Sequence, residues 1–397
     1  MNWRVYILAV TTFAVGLVEL IVGGILPNIA EDLHVSLATA GQLITIFALV
    51  YAISAPVLLS LTAKVERKRL FLISLLIFTL GNLLTFFSTT FLTVMIARIF
   101  TAMSTALVIV LSLTITTRIV APTHRAKALG LVFMGVSSAL VVGVPMGIFI
   151  TEAFGWRAVF LGISLLSTIS MILIALLLER MPIGEIVPLK TQLKSLGNLK
   201  ILTAQLTTLF MLAGHYVLYA YLTPFLVEAF DMGASWISIC YLIFGIASVS
   251  GNAIGGWVSD KIGTSKALIV IVSIFALVLF TIPYTTIAFP LFLLFTVLWG
   301  ALSWALTPPL QSYLIQADPK SSDIQQSLNT AALQIGISIG SAVGGAIFAV
   351  TASAMHLASF GALFVLCALG CIIFSIKRAP ITQEQTLNYP SAQHHSS

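Results

Sequence analysis

Apolar residues run along this chain in long unbroken blocks, and the polar residues gather between them. Blocks near 5–27, 41–61, 70–88, 92–117, 127–151, 157–178, 201–226, 236–257, 266–284, 289–317, 326–350 and 356–376 each have the length of a membrane helix. Twelve spans put both chain ends on one side of the bilayer. The longest charged connection, residues 179–200, reads as a linker between two six-helix halves, 1–178 and 201–378. The tail 379–397 is polar throughout and is expected to be disordered. The pattern predicts an all-α integral membrane protein of twelve transmembrane helices in two pseudo-symmetric halves.

Composition agrees. Of 397 residues 59% are apolar and 8% are charged, against about 25% charged in a soluble domain. The net charge of +6 matters less than its distribution. Arg4, Lys64, Arg67, Lys68, Arg69, Arg118, Arg125, Lys127, Arg180, Lys190, Lys194, Lys200, Lys261, Lys266, Lys320, Lys377 and Arg378 fall on the side of the termini. Arg157 falls opposite, beside Glu31, Asp32, Glu152, Glu228 and Asp231, and Arg98 lies inside span four. By the positive-inside rule both termini are cytoplasmic. The basic balance therefore reports topology, and a nucleic-acid partner loses its support. Cys240, Cys367 and Cys371 sit in apolar segments without metal-ligand spacing, so no metal or cofactor is expected. The first apolar run is too long for a signal-peptide core and reads as a retained span.

The halves repeat. Lys64 of "TAKVERKRLFLISLLIF" aligns with Lys261 of "SDKIGTSKALIVIVSIF" at an offset of 197 residues. That offset also carries Pro27 onto Pro224, Gly143 onto Gly340 and Gly147 onto Gly344. Six plus six helices repeated in parallel describe a transporter with its substrate site between the halves.

The loop "GGWVSDKIGTSK" resembles the G-x-x-x-D-[RK]-x-G motif of the major facilitator superfamily, with Gly256, Asp260, Lys261 and Gly263 matching. The first-half copy departs from it, with Ala63 in place of the Asp and Glu66 in place of the Gly. "GILPNIAEDL", the span-five "GVPMG" with Gly143, Pro145 and Gly147, and "FGWRAVF" resemble the bacterial twelve-span drug:proton antiporters. "VGLVELIVGGILP", "LAGHYVLYAYLTPFL", "GALSWALTPPLQSYLI" and "SSDIQQSLNTAALQIGISIGSAVGG" are most similar to the purine base and nucleoside efflux pumps of that group. The resemblance implies a bacterial cytoplasmic membrane protein, a monomer, that exports purines against protons.

Glu19 is the one carboxylate deep inside a span, about eight residues or roughly 12 Å from its outer end. A charge at mid-membrane costs roughly 2.5–3.5 kcal/mol and defaults to function. Arg98 lies at a similar depth in span four, and if those helices are neighbours, as the superfamily fold implies, a buried ion pair becomes accessible. Glu19, Arg98 and His215, the last fourteen residues into span seven, are the proton-coupling candidates, weighed against helix locking and a satisfied core histidine. Thr12, Gly16, Glu19 and Gly23 form a small polar stripe, as do Arg98, Thr101, Thr105, Ser112 and Thr116. The glycines read first as packing residues.

The second half supplies aromatics and amides. Tyr219 lies one turn beyond His215, flanked by Tyr216 and Tyr221; Trp299, Ser303, Thr307 and Gln311 line span ten; Asn329 and Gln334 precede the glycine run of span eleven. Tyr219, Trp299, Gln311, Asn329 and Gln334 are the substrate candidates, with Tyr219 and Asn329 the expected stacking and edge-reading pair. Stacking and amide pairing suit a flat neutral ligand, whereas a cationic drug would favour several buried carboxylates. The competing readings are multidrug or sugar efflux on the same scaffold, a substrate sensor, and a polytopic enzyme. For the enzyme the sequence offers no nucleophile motif, metal spacing or phosphate loop.

Overall fold

The computed structural model describes residues 3–62, 64–181 and 193–378; Ala63, residues 182–192 of the expected linker and the 379–397 tail lie outside the described residues. Among the described residues twelve helices are long and apolar enough to cross a membrane. They are α1 (Arg4–Gly24), α2 (Leu37–Leu61), α3 (Arg67–Phe87), α4 (Phe91–Ile119), α5 (Lys127–Phe154), α6 (Trp156–Leu177), α7 (Leu199–Tyr219), α8 (Ala234–Ile262), α9 (Thr264–Ile287), α10 (Phe289–Ala317), α11 (Ile324–Thr351) and α12 (Leu357–Lys377). Arg4 and Lys377 share one end of the bundle, called here the terminal end; the α1–α2 and α7–α8 connections lie at the distal end.

The two halves are built alike. In the first, α1 packs on α5 and α6, α2 on α4, and α3 on α6. In the second, α7 packs on α11 and α12, α8 on α10, and α9 on α12. Polar ties repeat as well. Arg4 pairs with Glu179 at 3.1 Å, and Lys200 Nζ donates to the Arg378 carbonyl at 3.0 Å. Distally Arg157 pairs with Asp32 at 2.6 Å, while Glu228 accepts the Ala354 N–H at 2.6 Å.

Spans one and seven are not continuous to their expected ends. The chain breaks at Ile25 and at Tyr221 and resumes as the short helices Leu26–Asp32 and Leu222–Phe230. Each resumes with a proline in its first turn, Pro27 and Pro224. A proline offers no N–H to the carbonyl four residues back and its ring crowds that carbonyl, so the helix must restart there. In α5 the same chemistry gives a π turn over Ala139–Gly143 just before Pro145, with the Val144 N–H reaching the Ala139 carbonyl five residues back. This turn runs into the span-five motif at Gly143.

Small residues set the tightest contacts. A Cβ on Gly336, Gly340 or Gly344 of α11 would fall 2.4, 2.2 or 2.7 Å from the carbonyls of Leu209, Ala213 and Val217 on α7. On α8 the close approach uses Gly251 and Gly255, each 2.0 Å by the same measure from an α10 carbonyl, whereas Gly256 of the loop motif faces open space. Apolar lipid gives helices little reason to associate through large apolar faces, so close backbone packing carries the contact. Gly263 ends α8 at φ +86°, a conformation that L side chains rarely adopt. Asp260 and Lys261 are exposed on the last turn; Lys261 lies 4.8 Å over the Trp257 ring, and Asp260 makes no ion pair among the described residues.

Glu66, the departure from the loop motif, has a structural use. Its carboxylate caps α3, accepting the N–H groups of Lys68 and Arg69 at 2.9 Å each, and accepts the Met181 N–H at 2.6 Å. Burial opposes ionisation there, but the backbone N–H groups of Met181, Lys68 and Arg69 and the Lys68 charge outweigh it and hold the carboxyl below its ordinary value. Glu66→Ala should therefore cost about 0.5–2 kcal/mol. Because the folded carboxyl titrates below the unfolded one, its contribution is present above the unfolded value near pH ~4.3 and lost as pH falls through the lower folded value. Thermal unfolding in detergent should show a wild-type advantage at pH 7 that vanishes in acid; an advantage independent of pH would contradict the carboxylate cap.

The halves meet along two seams, α2 with α11 and α5 with α8. Among the described residues, hydrogen bonds at these seams and at the helix breaks join the halves from mid-depth outward to the distal end. Thr223 donates to the Gly24 carbonyl at 3.0 Å, Ser341 to Gly41 at 3.1 Å, Ser338 to Thr45 at 3.0 Å and Ser238 to Pro145 at 3.4 Å. The bundle is joined distally.

Candidate functional site at the bundle centre

Glu19 of α1 lies at a contact between the halves. Its Oε1 accepts a hydrogen bond from Gln334 Nε2 of the other half at 2.8 Å, which leaves Gln334 Oε1 buried without a partner. Tyr51 of α2 and Tyr216 of α7 lie close enough to feel the Glu19 charge. Glu19 is partly buried.

Arg98 does not form the ion pair that its depth permits. Its Nη1 donates to the Val18 carbonyl at 2.8 Å, its Nε to the Leu43 carbonyl at 3.4 Å, and its guanidinium lies 4.1 Å over the Phe47 ring. It is 1% exposed, and its Nη2 has no partner. Arg98 thus ties α1 and α2 to α4 through backbone carbonyls. One of them belongs to the residue before Glu19, so the two charges act on each other without touching.

His215 stands in a cluster of rings. Its imidazole stacks on Tyr219 at 5.1 Å and Phe244 at 5.9 Å, and meets Tyr216, Phe275 and Trp299 at 5.2, 6.1 and 5.3 Å between centroids. Tyr219 and Trp299 are 6.2 Å apart, and both are buried. Three polar atoms in this cluster have no hydrogen-bond partner: His215 Nδ1, the Tyr219 hydroxyl and Trp299 Nε1. Leaving a buried donor or acceptor unpaired costs about 1–3 kcal/mol. α1 passes close to this stretch of α7: Gly23, one turn beyond Glu19, would carry a Cβ 3.5 Å from the Tyr219 carbonyl.

Two expected substrate residues lie elsewhere. Asn329 donates to Gln205 at 3.0 Å and Thr208 at 2.6 Å, within a buried chain that runs on through Gln325 to Asp318. Thr208 is eleven residues before Tyr219, about 16 Å along α7, so Tyr219 and Asn329 do not face one small ligand. Gln311 is exposed on α10, twelve residues and about 18 Å beyond Trp299. Phe244 and Phe275, which wall the ring cluster, read in the sequence as ordinary apolar residues. Tyr51 and the amide partner Gln205 were equally silent, since helical spacing fixes depth and face within a span but not the neighbour across it.

The span-five motif packs on α1. A Cβ on Gly147 would come 2.3 Å from Ile21 Cδ1, and one on Gly143 would come 3.0 Å from Leu17 Cδ1. Among the described residues no group of three or more His, Cys, Asp or Glu is placed to hold a metal ion.

Residues 8–341 match the Major Facilitator Superfamily. The chain is 36% identical to the Bacillus subtilis (strain 168) uncharacterized MFS-type transporter YbcL, over 93% of this chain and 94% of that one. It is 28% identical to the inner membrane transport protein YdhP of Escherichia coli (strain K12), over 96% and 98%. The fold superposes on a bacterial homolog of the human lysosomal transporter Spinster, solved in an inward-facing and occupied conformation, with a TM-score of 0.77 at 16% identity, covering 94% and 96% of the chains.

Proposed function

Because the chain belongs to the Major Facilitator Superfamily and is a membrane transporter of that type, we propose that it exports purine bases or purine nucleosides in exchange for protons. The observation that carries this reading is the ring cluster of His215, Tyr219 and Trp299, in which three polar atoms are buried without a hydrogen-bond partner. Rings favour a planar ligand, at about 1–3 kcal/mol per stacked base. Unpaired ring N–H and O–H groups favour a ligand with heteroatoms on its edge, which a purine has and a hydrocarbon lacks. His215 then serves the substrate rather than the proton, since rings enclose it, and Asn329 and Gln311 leave the substrate set.

Glu19 is the proton site in this reading. Ionised, it accepts from Gln334 and joins the halves. Protonated, it gives up its charge beside Arg98 at the point where the halves must part. By the distribution of basic residues the terminal end is cytoplasmic, so a bundle joined distally opens toward the cytoplasm to load substrate, as a twelve-span exporter of the bacterial cytoplasmic membrane would.

Competition against a labelled purine in inverted vesicles tests the substrate. Hypoxanthine, adenine, guanine and their nucleosides should compete, with pyrimidines weaker and a lipophilic cation inert. Tyr219→Ala should weaken purine competition by the cost of one stack, about 1–3 kcal/mol or roughly 5- to 150-fold. Competition by the cation alone would replace the purine reading with multidrug efflux.

A further inference from the structure

The break in α7 leaves one side chain in an unusual place. Tyr221 is fully buried at the α2–α11 seam, stacked on Phe348 at 6.0 Å with ring planes 10° apart. Its hydroxyl donates to the Ser341 carbonyl at 3.2 Å, and Ser341 Oγ in turn donates across the seam to the Gly41 carbonyl at 3.1 Å. Three glycines form the socket. A Cβ on Gly41 of the first half would sit 1.9 Å from the Tyr221 hydroxyl, one on Gly345 would sit 2.5 Å from it, and one on Gly344 would sit 2.9 Å from the ring. No larger residue fits opposite the phenol at Gly41 while Tyr221 keeps this position. Thr223, two residues on, donates to the Gly24 carbonyl exposed by the matching break in the first half.

We propose that Tyr221 is the distal gate, a phenol held by the second half and seated against Gly41 of the first, which closes the far end of the transport path. Its place at the helix break lets the side chain move with the short helix Leu222–Phe230 instead of with all of α7. When the halves part distally, the Gly41 wall withdraws and Tyr221 keeps only its Ser341 and Phe348 contacts, so closure is set by shape across the seam. This assignment concerns which residue seals the path and does not depend on the identity of the substrate.

The test is a double-mutant cycle read by distance. Cys240, Cys367 and Cys371 are replaced, and spin labels are placed at Glu31→Cys and Trp236→Cys, exposed positions at the distal ends of the two halves. The parent should show mainly the short distance. Gly41→Ala should raise the long-distance population roughly tenfold or more, the scale of an overpacked contact. Tyr221→Ala should raise it less, and Gly41→Ala in the Tyr221→Ala background should add nothing, because the added methyl then meets no ring. Unchanged distances in Gly41→Ala, or effects of the two substitutions that add, would overturn the gate. Should Gly41→Ala fail to fold, Tyr221→Cys reports independently through a membrane-impermeant maleimide applied from the distal side. Labelling only when a pH gradient is imposed supports the gate; equal labelling with and without the gradient, or none in either, overturns it.

Discussion

Glu19→Gln is expected to abolish uphill export while leaving substrate exchange intact. The substitution keeps the size of the side chain, and a glutamine can still bond the Gln334 amide that now donates to Glu19 at 2.8 Å. The interhalf contact survives and only the titration is lost. The effect is large because one proton moving down a driving potential of about 150 mV carries roughly 3.5 kcal/mol, enough for a several-hundredfold gradient. Vesicles loaded with unlabelled purine should exchange label at near wild-type rates, yet the same vesicles should fail to accumulate label against a gradient. Retained accumulation would remove Glu19 from the coupling step. Loss of exchange as well would make Glu19 a structural or substrate residue.

Gly147→Leu is expected to abolish both accumulation and exchange. The Cβ position is 2.3 Å from Ile21 Cδ1 and 3.1 Å from Ile21 Cγ1, with Val159 Cγ1 at 3.7 Å on the far side. An alanine meets only the movable tip of Ile21, so Gly147→Ala should transport nearly as well as the parent. A leucine forces three more carbons between α5, α1 and α6, overpacking worth about 1–3 kcal/mol, beside the π turn at Ala139–Gly143. Combining Gly147→Leu with Ile21→Ala should restore part of the activity, because it returns volume at the contact. Full transport by Gly147→Leu at normal expression would show that this contact need not stay thin.

Block length was enough to read twelve spans, because crossing a bilayer demands that length whatever the neighbours are. Pro27 and Pro224 were legible as span ends, but the helices that restart after them were not. A proline stops one helix and opens the next with equal ease, and only the packed chain decides whether the next turn forms. Helical spacing did carry His215 and Tyr219 onto one face, where they meet Trp299. Azimuth across helices was not legible. Arg98 directs two donors to the carbonyls of Val18 and Leu43 instead of to Glu19, and the amide of Asn329 is taken by Gln205 and Thr208. Both choices depend on which backbone or side chain faces the residue from another helix. Glu66 shows the reverse. As a motif it was a defect, while its carboxylate caps a helix that the family glycine could not cap with a side chain.

The central claim is that purine movement and proton movement are one event at Glu19, and proton flux triggered by substrate measures it most directly. Inverted vesicles containing the protein are energised to an acid interior and carry a trapped pH-sensitive dye. Adding hypoxanthine or adenine outside should alkalinise the lumen as protons leave in exchange for the purine that enters. The signal should saturate with purine and be absent in Glu19→Gln vesicles that still exchange label. Purine accumulation with no proton movement in the wild-type protein, or an equal proton signal from Glu19→Gln, would contradict the account.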